Sequence, residues 1–277
     1  MGKTYPALDV RCRDSGLLAA LVDDFWPTAL EEHVDSVRVF FVRHADRDAA
    51  RFALAAHFPV SSVDVPDEDW ARRSQENLQP ITIGRLTVVS NPSTSTDQSA
   101  IRIVIPPSMG FGTGHHATTQ LCLEALQAID LAGATVLDVG TGSGLLAIAA
   151  VRLGAARAIG IDVDEDALHA ARENLTLNPE VGSRVTFRAG DISVAPADRD
   201  LQADVVIANL TGHLLVQSAA ALKHVACGGA TLIVSGLQIE ERDAVARAFG
   251  GTTVWERTCE DWVGMALRNR ERQPRGE

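Results

Sequence analysis

From Ala134 to Arg268 the apolar positions fall into short runs. T-V-L-D-V, R-A-I-G-I-D, R-V-T-F-R, A-D-V-V-I-A-N and A-T-L-I-V-S are separated by stretches with helical spacing. Near-continuous apolar runs are what strands covered on both faces need, and their alternation with helices predicts a doubly wound, mostly parallel α/β sheet. T-T-V-W-E-R-T and W-V-G-M-A-L-R follow with no helix between them and predict a terminal hairpin that brings the sheet to seven strands.

Before residue 67 the pattern is shorter and alternating. T-Y-P-A-L-D-V, a short segment from Ala29 to His33, S-V-R-V-F-F-V-R and V-S-S-V-D-V-P predict strands. S-G-L-L-A-A-L-V-D-D-F, with Ser15 near its cap, and D-R-D-A-A-R-F-A-L-A-A-H predict helices. The order β-α-β-β-α-β is that of a small α+β ferredoxin-like domain. Asp67 to Pro80 is charged and closed by proline, which suits a helical connector. Two β-rich pieces follow, I-T-I-G-R-L-T-V-V and A-I-R-I-V-I, joined by a Ser/Thr-rich loop from Asn91 to Ser99. The chain thus reads as residues 1–66, a connector 67–80, and a larger domain 81–277.

Composition narrows the function classes. At 277 residues, with 46% hydrophobic and 22% charged residues, the chain can bury ordinary globular cores. Twenty-five basic residues face 36 acidic ones, a net charge of −11, which argues against a generic nucleic-acid surface and direct nucleic-acid binding. No apolar run reaches the length of a membrane span and the N-terminus lacks a signal-peptide core, so a cytoplasmic protein is expected. Cys12, Cys122, Cys227 and Cys259 form no C-x-x-C pair; buried thiols are expected rather than a disulfide framework or a zinc site.

The chemistry gathers at strand ends. L-D-V-G-T-G-S-G, Leu137 to Gly144, lies where the first parallel strand turns into a helix, and glycines there let the backbone approach a ligand. The nicotinamide fingerprint would place a small residue at position 145, where Leu145 stands, and no G-K-[ST] exists for a P-loop. The G-x-G-x-G spacing, Gly140 and Gly142 included, with Asp138 ahead of it, resembles motif one of the class I methyltransferases, whose methyl donor is S-adenosylmethionine. Asp162 ends the second strand, 22 residues past Gly140, and suits a carboxylate that accepts from both ribose hydroxyls. Asp164 and Asp166 suit helix capping. Asp191, after the third strand, can accept from an adenine amino group, with Ile192 against the ring, or can be a solvated turn residue. Asn209 ends the fourth strand, where a side-chain carbonyl can orient an incoming amine. The following Leu210-Thr211-Gly212 lacks the N-P-P-[YF] pattern used on planar amides and base nitrogens.

Ahead of this domain's first parallel strand runs P-P-S-M-G-F-G-T-G-H-H-A-T-T-Q, Pro106 to Gln120. Adjacent histidines seldom both ligate one ion and no carboxylate or cysteine completes a set, so no metal is assigned to His115 and His116. The run G-F-G-T-G-H-H-A-T-T-Q, placed ahead of motif one, resembles the bacterial ribosomal protein L11 methyltransferases. The connector E-D-W-A-R-R, P-I-T-I-G-R, I-G-I-D-V-D, A-N-L and the S-G-L after the fifth strand extend the resemblance over most of residues 67–268. It implies cofactor contacts at Thr119, Gly140, Asp162 and Asn209, and a ferredoxin-like substrate-recognition domain at the N-terminus. Thr113, His116 and Asn209 are the candidate residues for the transfer step, and a dedicated general base is not expected. The implied activity is methylation of lysine side chains or an N-terminal α-amine of ribosomal protein L11 by a monomer. Methylation of another protein or a small molecule by the same fold, and a non-catalytic cofactor-binding module, are the alternatives. The sequence departs from the family at His115, at Ala117 where proline is usual, and in N-L-T-G-H-L-L where the pattern is N-I-L-A-x-P-L; these positions bear on the acceptor more than on the cofactor.

Overall fold

The computed structural model describes residues 4–12, 18, 21–22, 25, 27–33, 35–66, 79–95, 97, 100–106, 114–193 and 199–269. The chain divides into two compact units, Met1–Asn77 and Leu78–Glu277. Most of the predicted connector and of the first predicted helix lies outside the described residues.

In the first unit β1 (Thr4–Val10), β2 (Pro27–His33), β3 (Ser36–Phe41) and β4 (Val60–Pro66) form an antiparallel sheet in the order β2-β3-β1-β4. Strand alternation sends Leu8, Val10, Val37, Val39 and Phe41 into one core with Ala50 and Leu54 of α1 (His44–Leu54). Because β3 and β4 each run antiparallel to β1, they are parallel to each other, and α1 is the crossover between them. On the sheet, the register pair Asp9 and Arg38 forms a bidentate ion pair, with Arg38 Nε and Nη2 donating at 2.6 and 2.8 Å.

The second unit opens with a three-stranded sheet, β5 (Ile81–Ile83), β6 (Leu86–Val89) and β7 (Ile101–Val104). The piece read as one β-rich run, Ile81 to Val89, folds back on itself at Gly84, whose φ is 55°. A Cβ there would lie 2.5 Å from Gln127 Oε1, an atom that also accepts from Arg85 N–H at 2.7 Å. The turn is therefore set by a helix residue far along the chain.

The large sheet comprises β8 (Thr135–Val139), β9 (Arg157–Asp162), β10 (Val185–Ala189), β11 (Ala203–Asn209), β12 (Ala226–Gln238), β13 (Thr252–Cys259) and β14 (Trp262–Arg268), in the order β10-β9-β8-β11-β12-β14-β13. The first five in sequence are parallel, and the hairpin joins through β14, antiparallel to β12. The helices are α2 (Ala117–Ala128), α3 (Leu145–Arg152), α4 (Glu165–Thr176), α5 (Gly212–Val225) and α6 (Arg242–Phe249). They bury two separate apolar layers. One holds Leu123, Leu126 and Ile148 with Leu86, Val88 and Ile103 of the small sheet; the other holds Leu215, Leu222, Val245 and Phe249. Strand order runs outward from β8 through β9 to β10, and the other way from β11 to β12. The switch point lies between β8 and β11, where sheets of this kind leave a ligand crevice at the strands' carboxyl ends.

Candidate active site

The switch point is lined by turns that use their own polar groups first. Gly140 and Thr141 both donate their N–H to Ile161 O, at 2.9 and 3.0 Å, which draws the motif-one turn onto the end of β9. Gly140, Gly142 and Gly144 have φ of 69°, 52° and 80°, the left-handed region that disfavours side chains. A Cβ on Gly140 would lie 2.8 Å from Leu210 Cδ2, and one on Gly144 would lie 2.6 Å from Phe187 Cζ. The turn thus presents bare backbone at the crevice and leaves it no room for side chains.

Asp162 bridges the first two loops. Gly142 N–H donates to its Oδ2 at 2.9 Å and Asp164 N–H to its Oδ1 at 3.1 Å, so each oxygen already braces one loop and keeps further acceptor capacity. Asp164 is the N-cap of α4, accepting from Asp166 N–H at 2.9 Å. Asp191 is exposed. Its Oδ1 accepts from both the N–H and the hydroxyl of Ser193, at 2.8 and 2.6 Å, and these bonds hold its carboxyl below the usual carboxylate range. The neighbouring Ile192 is buried at 6% exposure.

Across the switch point, Asn209 at the end of β11 meets Thr119 of α2. Asn209 Nδ2 donates to Thr119 Oγ1 at 3.5 Å over 90 residues of sequence, and Thr119 is buried. The start of α2 is fixed by His116, its N-cap, whose Nδ1 accepts from Thr118 N–H at 3.3 Å and lies 2.8 Å from Thr118 Oγ1. Its ring stands edge-on to Trp262, centroids 5.2 Å apart. His115 is exposed and serves through its carbonyl, which accepts from Gln120 Nε2 at 3.0 Å. The two histidines therefore do different work. Thr113 and the glycines at 110 and 112 lie outside the described residues.

Beneath the turn, Asp138 is 1% exposed, and burial pushes its carboxyl up to about 6, against the lowering effect of the Thr141 hydroxyl that donates to Oδ2 at 2.6 Å. The Ala147 N–H also faces this carboxyl and lowers it, although Asp138 Oδ1 makes no close hydrogen bond. Burial, then the neighbouring Asp138 charge, pushes the Cys122 thiol up as well, which makes it a packing group rather than a nucleophile. Of the four cysteines only Cys122 is buried; the other three, expected to be buried too, are partly exposed.

Residues that local sequence signals did not pick out complete the surroundings. Asn174 holds Ser143 O of the motif-one turn, Asn178 holds the backbone of Val104 at the end of β7, and Trp262 backs His116. Two asparagines four apart in R-E-N-L-T-L-N, one of them on a helix that ends just before the other, were the available signal. The departures from the family pattern also find local reasons. Ala117 occupies the first helical position, where proline is equally at home. At Gly212 a Cβ would lie 2.4 Å from the Glu241 carboxylate, whose Oε2 accepts from Gln238 N–H.

Known proteins of one kind resemble this chain in sequence and in fold. A family model for ribosomal protein L11 methyltransferases matches residues 29–270. A ribosomal protein L11 methyltransferase from Azotobacter vinelandii is 38% identical over 253 residues, 87% of this chain and 83% of its own. One from Geobacter metallireducens is 40% identical over 238 residues, 84% and 76% respectively. Among solved structures, the ribosomal protein L11 methylase of Lactobacillus delbrueckii subsp. bulgaricus aligns with a TM-score of 0.60 and 26% identity, over 70% of this chain and 99% of that one. The seven-stranded α/β sheet is the class I methyltransferase fold, and the chain belongs to the ribosomal protein L11 methyltransferase family.

Proposed function

We propose that this protein transfers methyl groups from S-adenosylmethionine to amines of a protein substrate, lysine side chains or an N-terminal α-amine, or both, of ribosomal protein L11. The observation that carries the reading is the Asn209–Thr119 contact beside the motif-one turn, which brings acceptor-side and donor-side residues together at the switch point. The residues present fit the donor. Gly140 and Gly142 offer bare backbone for its close approach, Asp162 has acceptor capacity for ribose hydroxyls, and Asp191 with Ile192 stands one strand further out, where an adenine ring would lie. Bound there, S-adenosylmethionine supplies an activated methyl group, so the protein's task is alignment and exclusion of water.

With its amide N–H turned onto Thr119, Asn209 offers its carbonyl oxygen to the acceptor amine. A lysine amine has an ordinary pKa of about 10.4, and a dry crevice lowers it by disfavouring the ammonium form. His116 acts by fixing the start of α2 and hence Thr119; Thr113 is retained as a transfer-step residue on the family resemblance. Residues 1–66, whose sheet order suits a ferredoxin-like domain, serve as the recognition domain, 67–80 as connector and 81–277 as the catalytic domain of a cytoplasmic monomer that needs no nucleic acid. No helix among the described residues is long and apolar enough to cross a membrane. Incubating the protein with S-adenosylmethionine and purified L11, followed by intact-mass and peptide mass spectrometry, tests the reading. Methyl increments on L11 amines are expected. Donor binding with unmodified L11 would move the substrate assignment to another protein or a small molecule, and no donor binding would overturn the reading altogether.

A further inference from the structure

Within the second unit, a buried chain of hydrogen bonds links the motif-one turn to the strand that leads into the glycine-rich loop. Asn174, on α4, donates from Nδ2 to Ser143 O at 2.9 Å, in the middle of motif one. One turn later, Asn178 donates from Nδ2 to Asn174 O at 2.7 Å and to Val104 O at 2.8 Å, while its Oδ1 accepts from Val104 N–H at 2.9 Å. Asn178 is 1% exposed and Asn174 5%. By taking both polar backbone groups of Val104, the Asn178 amide reproduces one rung of a β-ladder at the last residue of β7.

The far side of the loop is referenced to the same turn. A Cβ on Gly114 would lie 3.3 Å from Leu145 Cδ2, and Leu145 is the first residue of α3, directly after motif one. From Gly114 the chain reaches the His116 cap and then Thr119, which meets Asn209. Polar bonds on one side and packing on the other therefore locate the described residues flanking 107–113 against Ser143 to Leu145.

We infer that Asn174 and Asn178 are positioning residues, which hold the motif-one turn in register with the end of β7, so that the shape of the donor-binding turn and the position of Val104 are set together. The inference rests on the methyltransferase reading above. Its physical content is a contiguous chain of satisfied, buried bonds with a defined start and end.

Asn174→Ala is the sharper probe, because it removes the bond to Ser143 and leaves the Asn178–Val104 clasp intact. Hydrogen exchange is measured on the full chain with and without S-adenosylhomocysteine, alongside melting temperature, S-adenosylhomocysteine affinity and steady-state methylation of L11. In the wild type the ligand is expected to slow exchange at motif one and at Val104 together. In Asn174→Ala the slowing should stay at motif one, with kcat down at least tenfold and affinity changed less than threefold. Asn178→Ala should decouple the two sites in the same way, with a lower melting temperature. A folded Asn174→Ala protein that keeps both the joint protection and the wild-type kcat would overturn the inference. If the ligand binds but L11 is not methylated, only the substrate assignment fails and the exchange pattern still decides. If the ligand does not bind the wild type, the methyltransferase reading falls and takes the inference with it.

Discussion

Asp138 offers a quantitative test of how deeply the motif-one turn is buried. Its carboxyl is pushed from the ordinary 3.8 to about 6, with burial the largest cause and the Asp162 charge adding to it. For an acid whose folded value is raised, the unfolded chain releases its proton first as pH rises. Stability is therefore lost between the two values, full below about 3.8 and lowest above about 6. At about 1.4 kcal/mol per pH unit the whole loss is about 3 kcal/mol, of which about half falls between pH 5 and 7.5. Asp138→Asn cannot ionise and keeps an oxygen to accept from the Thr141 hydroxyl. Urea unfolding of both proteins without donor, across that range, isolates the effect, since the titrating groups not coupled to Asp138 cancel in the difference. The variant should gain on the wild type by on the order of 1 kcal/mol as pH rises. A constant difference across the range would show that Asp138 titrates at its ordinary value and that its site is solvated.

Other substitutions test the bracing of the site. Asp162→Ala removes the acceptor of two loop N–H groups as well as the proposed ribose contact, so S-adenosylmethionine affinity should fall by roughly 1–3 kcal/mol by calorimetry; equal affinities would refute the ribose assignment. His116→Ala should cost about 1 kcal/mol in thermal melts through loss of the N-cap, and His116→Asp should restore it. Activity that returns along with the cap would assign His116 to helix positioning, and activity that stays low would support a part in the transfer step. Gly212→Ala pushes a Cβ into the Glu241 carboxylate and breaks its bond to Gln238 N–H, a loss of about 1 kcal/mol that Glu241→Ala should make non-additive.

What was legible in the sequence was what local chemistry dictates. Gly140 and Gly144 could be placed because a strand must turn into a helix there with no room for a Cβ, and Asp162 because it ends the next strand at the same edge of the sheet. The parallel strands were legible because burial on both faces leaves near-continuous apolar runs. The misplaced pieces depended on partners distant in sequence. Ile81 to Val89 has uniform β character, and its fold-back is set by Gln127 on another element. β12 begins at Ala226, earlier than its apolar run, because Ala203 on β11 pairs with it there.

The same distinction separates the candidate residues. Asn209 and Thr119 were each named on their own, but the contact that joins them spans 90 residues and belongs to the topology. Asn174 and Asn178 drew no reading from the sequence, since nothing in R-E-N-L-T-L-N says that these two amides point inward while Arg172 and Glu173 remain exposed. Asp138 could be read only as a marker of motif one; the cost of ionising it comes from the layers packed around it. A family motif therefore locates the atoms that touch the donor, whereas the groups that decide how firmly those atoms are held come from other strands and helices. The same reasoning governs the departures at the acceptor side. Gly212 leaves space that the Glu241 carboxylate fills, so a change beside Asn209 is matched by a residue on the segment after β12. The two positions form one packing unit, and a substitution at either must be judged with the other in place.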